Sequence, residues 1–498
     1  MTSPLVAASL RSQIRACWLG KNVGGTLGGP HEGKSGPLEL RFYDPVPDGM
    51  MPNDDLDLQL VWLYHLRREG VREVTPDLLA EAWERHVRFP FDEYGYGLRN
   101  AHLGIRGAER GAVDNWFGEG MGAAIRSELW ACLCPGNPAR AAGFAWADAV
   151  TDHSGDGVWA EVFFAALQAA AFGGGEVEAL IGEAERFLPR ESTLRAAIVD
   201  CVALWQASGD WLTVRDQLFV RYYNGNFTHV VVNVAFTLLG WLAGRGDFGR
   251  SLCIAVNCGL DTDCTGATLG ALMGIHRPEC ITDDWLAPIG EEIVVSPEIV
   301  GIDAPATVDE LVAQTLELKD QLSDAQPSLG AVHRCEPMID NDFFHLEGRI
   351  LAVDDLDVSG AVPDLTRGAL ARFEGHWFRL NQEFEGKAWL LVQFEVNLPE
   401  SKFLEVMTFA KTEVVVWLGG TRINHFTLKE ATRDAYYSAS PHRGGCYVTP
   451  LPLEEITRQA LLTVAYRRPA KGEGVDAVVA VADSKTHLWV ADAVARKD

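Results

Sequence analysis

Cys258-Gly259-Leu260-Asp261-Thr262-Asp263-Cys264-Thr265-Gly266-Ala267 is the stretch from which the fold is read. Two carboxylates stand two residues apart just after a glycine. Thr268-Leu269-Gly270-Ala271-Leu272-Met273-Gly274 follows, a run of small and apolar residues. Residues two apart do not share a face of a regular helix, so Asp261 and Asp263 belong in a loop or at a helix start, where both can turn to one point. Gly266, Gly270 and Gly274 recur every four residues. On a helix they form a stripe without side chains, against which another backbone can lie closely. Each glycine costs a helix about 1 kcal/mol relative to alanine, so the stripe needs a packing reason. The expectation is an acidic loop feeding a deeply buried helix. The plainer alternative is that Asp261 or Asp263 merely caps that helix.

The chain around this stretch has 498 residues, 47% hydrophobic and 22% charged. That is ordinary for a soluble globular protein and long enough for two domains. The net charge of −26 argues against a nucleic-acid surface, which needs a basic face. It leaves room for a phosphate-bearing ligand held by metal ions or a helix N-terminus. No run approaches about 18 uninterrupted apolar residues, so no membrane span is expected. Arg11 and Arg15 interrupt Met1–Gly20, which lacks the apolar core of a signal peptide. The spacing of Leu10, Ile14 and Cys17/Trp18 suits an amphipathic helix instead. Ten cysteines are scattered without a Cys-x-x-Cys pair; a reducing compartment, hence the cytoplasm, is the expected location.

Residues 5 to about 325 read mostly as helices. Asn53 can cap Asp54–Arg68, whose Leu56, Leu60, Leu63 and Tyr64 form an apolar stripe. Thr75-Pro76 starts a helix that Ala80–Val87 continues. Gly157–Phe172 is apolar on nearly all sides and reads as buried. Glu191–Leu204, Val214–Tyr222, Val230–Ala243 and Phe248–Asn257 complete an all-α domain. Phe89–Gly122, crowded with glycines and with Tyr94, Tyr96, Trp116 and Phe117, reads as a long irregular loop. Such a loop is a ligand wall carrying Tyr96 and Trp116, or a surface loop whose aromatics plug its own underside. After Gln321 the character changes. Residues 326–345 read as a linker, and 346–498 as a β-sandwich of the jelly-roll kind. Leu390, Val392, Phe394 and Val396 alternate with Leu391, Gln393, Glu395 and Asn397, the pattern of a half-buried strand. Val414–Leu418 meets Gly419-Gly420, a hairpin turn before Thr421. Leu461–Tyr466, Ala477–Ala482 and His487–Ala491 read as further strands.

Three segments can supply one site: Gly20–Gly33, Asn53-Asp54-Asp55 and Asp261-Thr262-Asp263. Carboxylates converging inside an apolar bundle repel one another and lose hydration. A divalent cation relieves both, and oxygen ligands point to Mg²⁺, Mn²⁺ or Ca²⁺. Asp57, one turn beyond Asp54, supports that site or lies on a solvated face. Ser154 or Asp156 reads as the cap of the following helix. His229 and Asn233, four apart on one helix face, either reach a substrate or are satisfied in the core.

These segments, in this order, resemble the ADP-ribosylglycohydrolase family. Its opening pattern, Leu-Gly-Gly-x-x-Gly-Asp-x-Leu-Gly-x-Pro-x-Glu, is met by Leu19-Gly20-Lys21-Asn22-Val23-Gly24-Gly25-Thr26-Leu27-Gly28-Gly29-Pro30-His31-Glu32. Its Thr-Asp-Asp is met by Asn53-Asp54-Asp55, and its Gly-Asp-Thr-Asp-Thr-x-Gly-Ala by Leu260–Ala267. Its Gly-Asn-Gly-(Ala/Ser)-x-Met-Arg is met by Gly120-Met121-Gly122-Ala123-Ala124-Ile125-Arg126, with His153 where the family has a histidine. The resemblance implies an all-α bundle and a cleft with two Mg²⁺ ions. Asp54, Asp55, Asp261 and Asp263 carry over as metal ligands, Glu32 as the acidic residue beside them, and Gly120, Gly122, Ala123 and His153 as the substrate loop and its partner. The departures are Gly25 for an Asp, Asn53 and Cys264 for Thr ligands, and Met121 for an Asn. Asn53 still offers an amide oxygen. Cys264, or the neighbouring Thr265 hydroxyl, completes the set. The C-terminal part, through Val414, Trp417-Leu418-Gly419-Gly420 and His487–Val490, resembles the galactose-binding-like jelly rolls appended to glycoside hydrolases.

The resemblance implies a metal-dependent glycohydrolase that cleaves a glycosidic bond at the anomeric carbon of an ADP-ribosyl, ribosyl or other furanosyl group, on a small-molecule or glycosylated substrate. Glu32, or a metal-bound Asp55 or Asp261, takes the proton from water. Two alternatives stand beside it: a glycoside hydrolase on plain sugars, and a non-catalytic binder of ADP-ribose or glycan. The domain division carries its own test. Residues 1–325 expressed alone are expected to be soluble, since the linker is polar and contains Pro and Gly; aggregation in a sedimentation assay would place the boundary elsewhere.

Overall fold

The computed structural model describes residues 9–69, 71–89, 92–102, 104–115, 117–327, 344–400, 404–410, 412–427, 447–451, 458–469, 475–483, 491–494 and 496–497. Trp116, most of the expected linker and the expected strand at 487–490 lie outside these residues. The chain divides into two compact units. One comprises Met1–Phe89, Ile105–Gly111 and Phe117–Pro337; the other comprises Pro90–Gly104, Ala112–Trp116 and Met338–Asp498.

Up to residue 321 the described elements are almost wholly helical. In order they are α1 (Leu10–Gly28), α2 (Asp54–Glu69), α3 (Pro76–His86), α4 (Asp92–His102), α5 (Glu109–Ala112), α6 (Ser127–Leu133), α7 (Pro138–Ala149) and α8 (Gly155–Ala171). Then come α9 (Val177–Ala184), α10 (Thr193–Ser208), α11 (Trp211–Tyr222), α12 (Val230–Gly244), α13 (Phe248–Asn257), α14 (Thr262–His276), α15 (Asp283–Leu286) and α16 (Val308–Gln321). Local chemistry sets several ends. Asn53 Oδ1 accepts from the Asp55 amide at 2.9 Å, starting α2. Thr75 caps α3, with Pro76 in its first turn. None of these helices is long and apolar enough to cross a membrane.

The stripe on α14 does have a packing reason. Gly266 faces Gly24, Gly270 faces Gly20 and Gly274 faces Ala16, backbone against backbone; a Cβ on any of the three would run into the opposing carbonyl. Gly28 meets Thr262 in the same way, and the Thr262 hydroxyl donates to the Gly28 carbonyl at 2.8 Å. The glycine-rich motif is therefore the second half of a long helix. Side-chain-free surfaces on α1 and α14 let the two axes approach more closely than ordinary side chains permit. α8 and α12, mostly apolar, lie in the core.

Two expectations need correction. Phe89–Gly122 is not wholly irregular: α4 spans Gly95 and Gly97. Glycines depress helix propensity, but α4 is buried and Arg99 and Asn100 bond to the Val113 carbonyl at 3.2 and 2.8 Å. Tertiary contacts outweigh the local preference. Asp156 does not cap its own helix. Its carboxylate accepts from the Ser192 hydroxyl at 2.6 Å and the Leu194 amide at 2.9 Å, and so holds the start of α10.

A short parallel pair, β1 (Glu73–Val74) with β2 (Gln326–Pro327), holds the start of the expected linker beside α3. In the second unit the strands are β3 (Phe344–Val353), β4 (Ala369–Glu374), β5 (Trp377–Leu380), β6 (Trp389–Asn397), β7 (Leu404–Phe409), β8 (Val414–Leu418), β9 (Thr421–Phe426), β10 (Tyr447–Pro450), β11 (Gln459–Arg467), β12 (Val475–Asp483) and β13 (Arg496–Lys497). They form one sheet in the order β13-β3-β6-β11-β8-β9, with β4 also on β3, and a second in the order β10-β7-β12-β5. All these pairings are antiparallel. Phe378 of one sheet stacks on Phe373 of the other, ring centroids 4.4 Å apart, consistent with a β-sandwich. β6 alternates as expected only from Val392 on, because both faces are covered at Trp389–Leu391. Trp417 is wholly buried core, and Ala491 opens a short helix, Ala491–Val494, rather than closing a strand. Within this unit Asp114 accepts from the His376 amide at 2.9 Å and lies 2.7 Å from its Nδ1. Burial alone would raise the Asp114 carboxyl, but His376 and Arg99 outweigh it and hold it down at about 2.

Two glycine substitutions separate close approach from ordinary helix propensity. Gly270→Val should destabilise by more than about 3 kcal/mol through overpacking. Gly182→Ala, on α9 where nothing lies within 4 Å of the added carbon, should stabilise by roughly 0.5–1 kcal/mol. Thermal melts of the two variants beside the parent check both.

Candidate functional site

The α1–α14 contact fixes where the acidic loops meet. α1 ends in the short turn Gly29–His31, and Glu32 follows. Across from it Gly259 and Leu260 both hold positive φ, 82° and 72°. Glycine tolerates that conformation, whereas leucine held there stores strain of order 1–3 kcal/mol. Two backbone bonds lock the loops together: Gly33 N to Leu260 O at 2.8 Å and Leu260 N to Lys34 O at 2.6 Å. The turn delivers Asp261 to the head of α14. Asp261 stands at the N-cap position, but its side chain makes no cap bond there.

Two groups of ligand atoms result. Glu32, Asp261 and Asp263 form one, and Asp55, Asp263 and Cys264 the other; within each, the atoms lie within 4.8 Å of one another. Asp263 belongs to both. Its Oδ1 is buried without a hydrogen-bond partner. Burial pushes the carboxyls of Asp55, Asp261 and Asp263 well above the usual range, and mutual repulsion adds to it. Asp263 and Glu32 act on Asp261; Glu32, Asp55 and Asp54 act on Asp263. A divalent cation would remove that repulsion and satisfy Asp263 Oδ1, so these residues fit a hard cation. Cys264 is the exception in kind: burial, then Asp261 and Asp55, hold its thiol protonated, and it donates to Asp55 Oδ2 at 3.8 Å. Thr265 gives its hydroxyl proton to Thr262 O at 3.2 Å. Asn53 spends a lone pair on the Asp55 amide, and its amide nitrogen lies 2.8 Å from where a Cβ on Gly25 would stand. The side chain missing at Gly25 and the asparagine at 53 thus share one space. Asp57 does not lie on a solvated face: it is fully buried and accepts from the Ser296 amide at 3.2 Å, and burial raises its carboxyl to about 7.

The glycine loop at 119–126 is tied to both groups. Lys21 Nζ donates to the Ile125 carbonyl at 2.9 Å and lies 3.0 Å from Glu128 and 3.5 Å from Asp55. Gln59 bonds Asp55 O, Ile125 O and Glu128 at 2.8, 3.1 and 2.9 Å. Arg126, wholly buried, grips the Gly122 carbonyl at 2.9 Å together with Asp148 and Asp152. Ala123 donates its amide to His153 Nε2 at 3.1 Å, while His153 Nδ1 lies 2.8 Å from Asp152. Both ring nitrogens of His153 therefore face protein groups. Gly120 bridges to His229, whose ring lies 3.6 Å from Glu119. Asn233 is fully buried, donates to the Phe227 and His229 carbonyls at 2.7 and 3.0 Å, and accepts from the Asp261 amide at 3.3 Å. It positions Asp261. Tyr96 lies on α4, buried in the second unit beneath Arg99.

Lys21, Gln59, Glu119, Glu128, Asp148 and Asp152 are polar residues around the loop that sequence reasoning passed over. A lysine inside the glycine motif of a buried helix was the one available signal: an unpaired ammonium cannot be buried, so its presence implied facing carboxylates.

A family model described as ADP-ribosylglycohydrolase matches residues 7–325. Among solved structures, the chain is similar to one titled "ADP-ribosylglycohydrolase-related protein complex", with 21% identity over 63% of this chain and 99% of that one, at a TM-score of 0.45. No curated protein matches.

Removing divalent ions should leave these carboxylates unscreened. With chelator the melting temperature should fall, and Mg²⁺, Mn²⁺ or Ca²⁺ at a hundredfold excess over Kd should restore about 2.7 kcal/mol, a rise of roughly 5 °C. Identical melting curves with and without the ion would count against the site.

Proposed function

The chain belongs to the ADP-ribosylglycohydrolase family, and on that footing we propose a metal-dependent glycohydrolase that cleaves at the anomeric carbon of an ADP-ribosyl, ribosyl or related furanosyl group. Membership supports a hydrolase acting on ADP-ribosyl linkages in general. The observation that carries the finer reading is the meeting of Glu32, Asp55, Asp261 and Asp263, from three separate segments, in two ligand groups that share Asp263.

Divalent cations bound there, two by family resemblance, would supply Lewis-acid charge that lowers the pKa of water. The rest falls to this chain's own residues. Asp54, Asp55, Asp261 and Asp263 would hold the cations, with Asn53, Cys264 and Thr265 beside them. Glu32 is only half buried, so water reaches it; it accepts the proton of the attacking water, with Asp55 and Asp261 as the neighbouring carboxylates. Fixed negative charge around the anomeric carbon favours an oxocarbenium-like transition state. Gly120, Gly122 and Ala123 offer backbone without bulk on the loop beside His153 and His229. Gly25 and Cys264 depart from the family pattern, so the aglycone need not be a protein. The substrate is a small molecule or a glycosylated partner rather than nucleic acid, given the net charge of −26. The eight described cysteines are free thiols, which supports a reducing, cytoplasmic setting.

Hydrolysis of ADP-ribosylated peptides, nucleosides and aryl furanosides, each with Mg²⁺ and each with chelator, tests the reading. Metal-dependent turnover of a ribosyl substrate is the expected result. Turnover of plain glycosides alone would move the substrate class to sugars, and binding without turnover would make the chain a binder. Asp263→Ala should lose metal binding and turnover together, by at least a hundredfold each. Unchanged metal affinity in that variant would remove the support for the site.

A further inference from the structure

Beneath the glycine-rich loop three buried carboxyls, Asp148, Asp152 and Glu161, surround one guanidinium, that of Arg126. An arginine has five N–H donors, and here each faces a partner. Nε donates to Asp148 at 3.1 Å. Nη1 donates to the Gly122 carbonyl at 2.9 Å and to Asp152 at 3.0 Å. Nη2 donates to Asp152 at 2.8 Å and lies 3.0 Å from Asp148. Glu161, on α8 and wholly inaccessible to water, stands 3.9 Å from Nη2. Among the described residues neither of its oxygens meets a donor. An anion buried in that way is costly. What Glu161 does touch is the Asp148 carboxyl, within hydrogen-bond reach. Two carboxyls form such a bond only if one keeps its proton. Asp148 also accepts from the indoles of Trp62 and Trp130 at 2.9 Å each, which favours its anion. The proton belongs on Glu161.

We propose that Glu161 stands as the neutral acid, donating to Asp148, and that this buried proton holds the Gly120–Arg126 loop in place by leaving Arg126 to Gly122 and Asp152. Glu161 is then a positioning residue, which acts on the loop through Asp148 and Arg126. Its bearing on substrate rests on the functional reading above; the test below needs neither turnover nor metal. Burial raises both carboxyls; repulsion from Asp148 adds to it at Glu161, whereas Arg126 and Trp130 oppose it at Asp148. The charges facing Glu161 are Asp148 on α7, Asp152 just beyond it, and Arg126. His153 and Arg110 act on Asp152. Other charges on the helices around α8 are engaged elsewhere. Glu128 of α6 bonds Lys21 and Gln168, and Arg140 of α7 the Ala325 carbonyl. Asp156 of α8 bonds Ser192. Arg195 and Asp200 of α10 pair with Glu185 and Arg221. On α14, Asp263 belongs to the acidic site and His276 bonds the Gly175 carbonyl. Glu178, Glu183 and Arg186 are exposed, and α12 carries no charge.

A carboxyl that keeps its proton in the folded chain, while the unfolded chain loses it near about pH 4.3, costs stability as pH rises towards its folded value. Denaturant unfolding of the parent and of Glu161→Gln between about pH 5 and pH 7 reads this. The amide is neutral throughout and keeps a donor for Asp148. The ratio of its folding constant to the parent's should therefore climb at least about tenfold over that range, other titrating groups cancelling. Glu161→Met, neutral but without a donor, should show the same climb from a lower start, and serves if the amide variant folds poorly. Hydrogen exchange at the Ala123 and Arg126 amides, which bond His153 Nε2 and the Ala123 carbonyl, reports on the loop. Exchange in the parent relative to Glu161→Gln should rise with pH in step with the stability ratio, because opening the loop lets Glu161 ionise. A stability ratio that stays constant with pH overturns the neutral acid and makes Glu161 an ionic partner of Arg126. A climbing ratio with loop exchange indifferent to the substitution overturns its hold on the loop.

Discussion

Backbone against backbone, α1 and α14 meet through glycines at 20, 24, 266 and 270, and the position of the acidic site follows from that contact. With the two helices this close, the end of α1 and the start of α14 lie side by side. Glu32 and Asp261 then need only the short loops that carry them. A methyl group on any of these glycines would drive the axes apart and move the carboxylates with them. The helix propensity given up at those glycines is offset by dispersion contacts and by exclusion of water along the contact.

Around this pair the protein buries an unusual amount of charge. Lys21 with Asp55 and Glu128, and Arg126 with Asp148 and Asp152, are all nearly or wholly inaccessible to water. Ion pairs in such places are seldom a source of net stability against an apolar alternative, yet breaking one costs on the order of 3–5 kcal/mol. What they do is fix geometry. Arg126 ties the Gly122 carbonyl to α7 through Asp148. Trp62 and Trp130 donate to the same Asp148 at 2.9 Å. Lys21 ties α1 to Ile125. The glycine-rich loop is held by the Gly122 and Ile125 carbonyls together with the Arg126 side chain.

Much of this was legible from the chain alone. Glycine spacing identified the buried helix, caps and periodicity located most of the others, and alternation located β6. The acidic residues that converge were recognisable because each stands beside a glycine turn or a helix start. What escaped reading were pairings across long separations. Nothing near Lys21 points to Ile125, 104 residues away, nor does anything near Asp156 point to Ser192. Asn233 was legible as a polar residue on an apolar helix, but not as the acceptor for the Asp261 amide. α4 was missed for a different reason: two glycines disfavour a helix locally, and only burial reverses that preference. Short-range rules carry no information about which distant backbone group will satisfy a buried side chain.

The α1–α14 contact also sets an order of events during synthesis. Gly28 and Thr262, which bond across it, are 234 residues apart. At about 5–20 residues per second, α1 leaves the ribosome on the order of ten to fifty seconds before its partner exists. Throughout that interval the glycine face of α1 lacks the helix that finally covers it. A nascent chain in that state is a client for a holding chaperone. The yield of folded protein would then be governed by how fast the ribosome reaches α14 as much as by the stability of the finished structure.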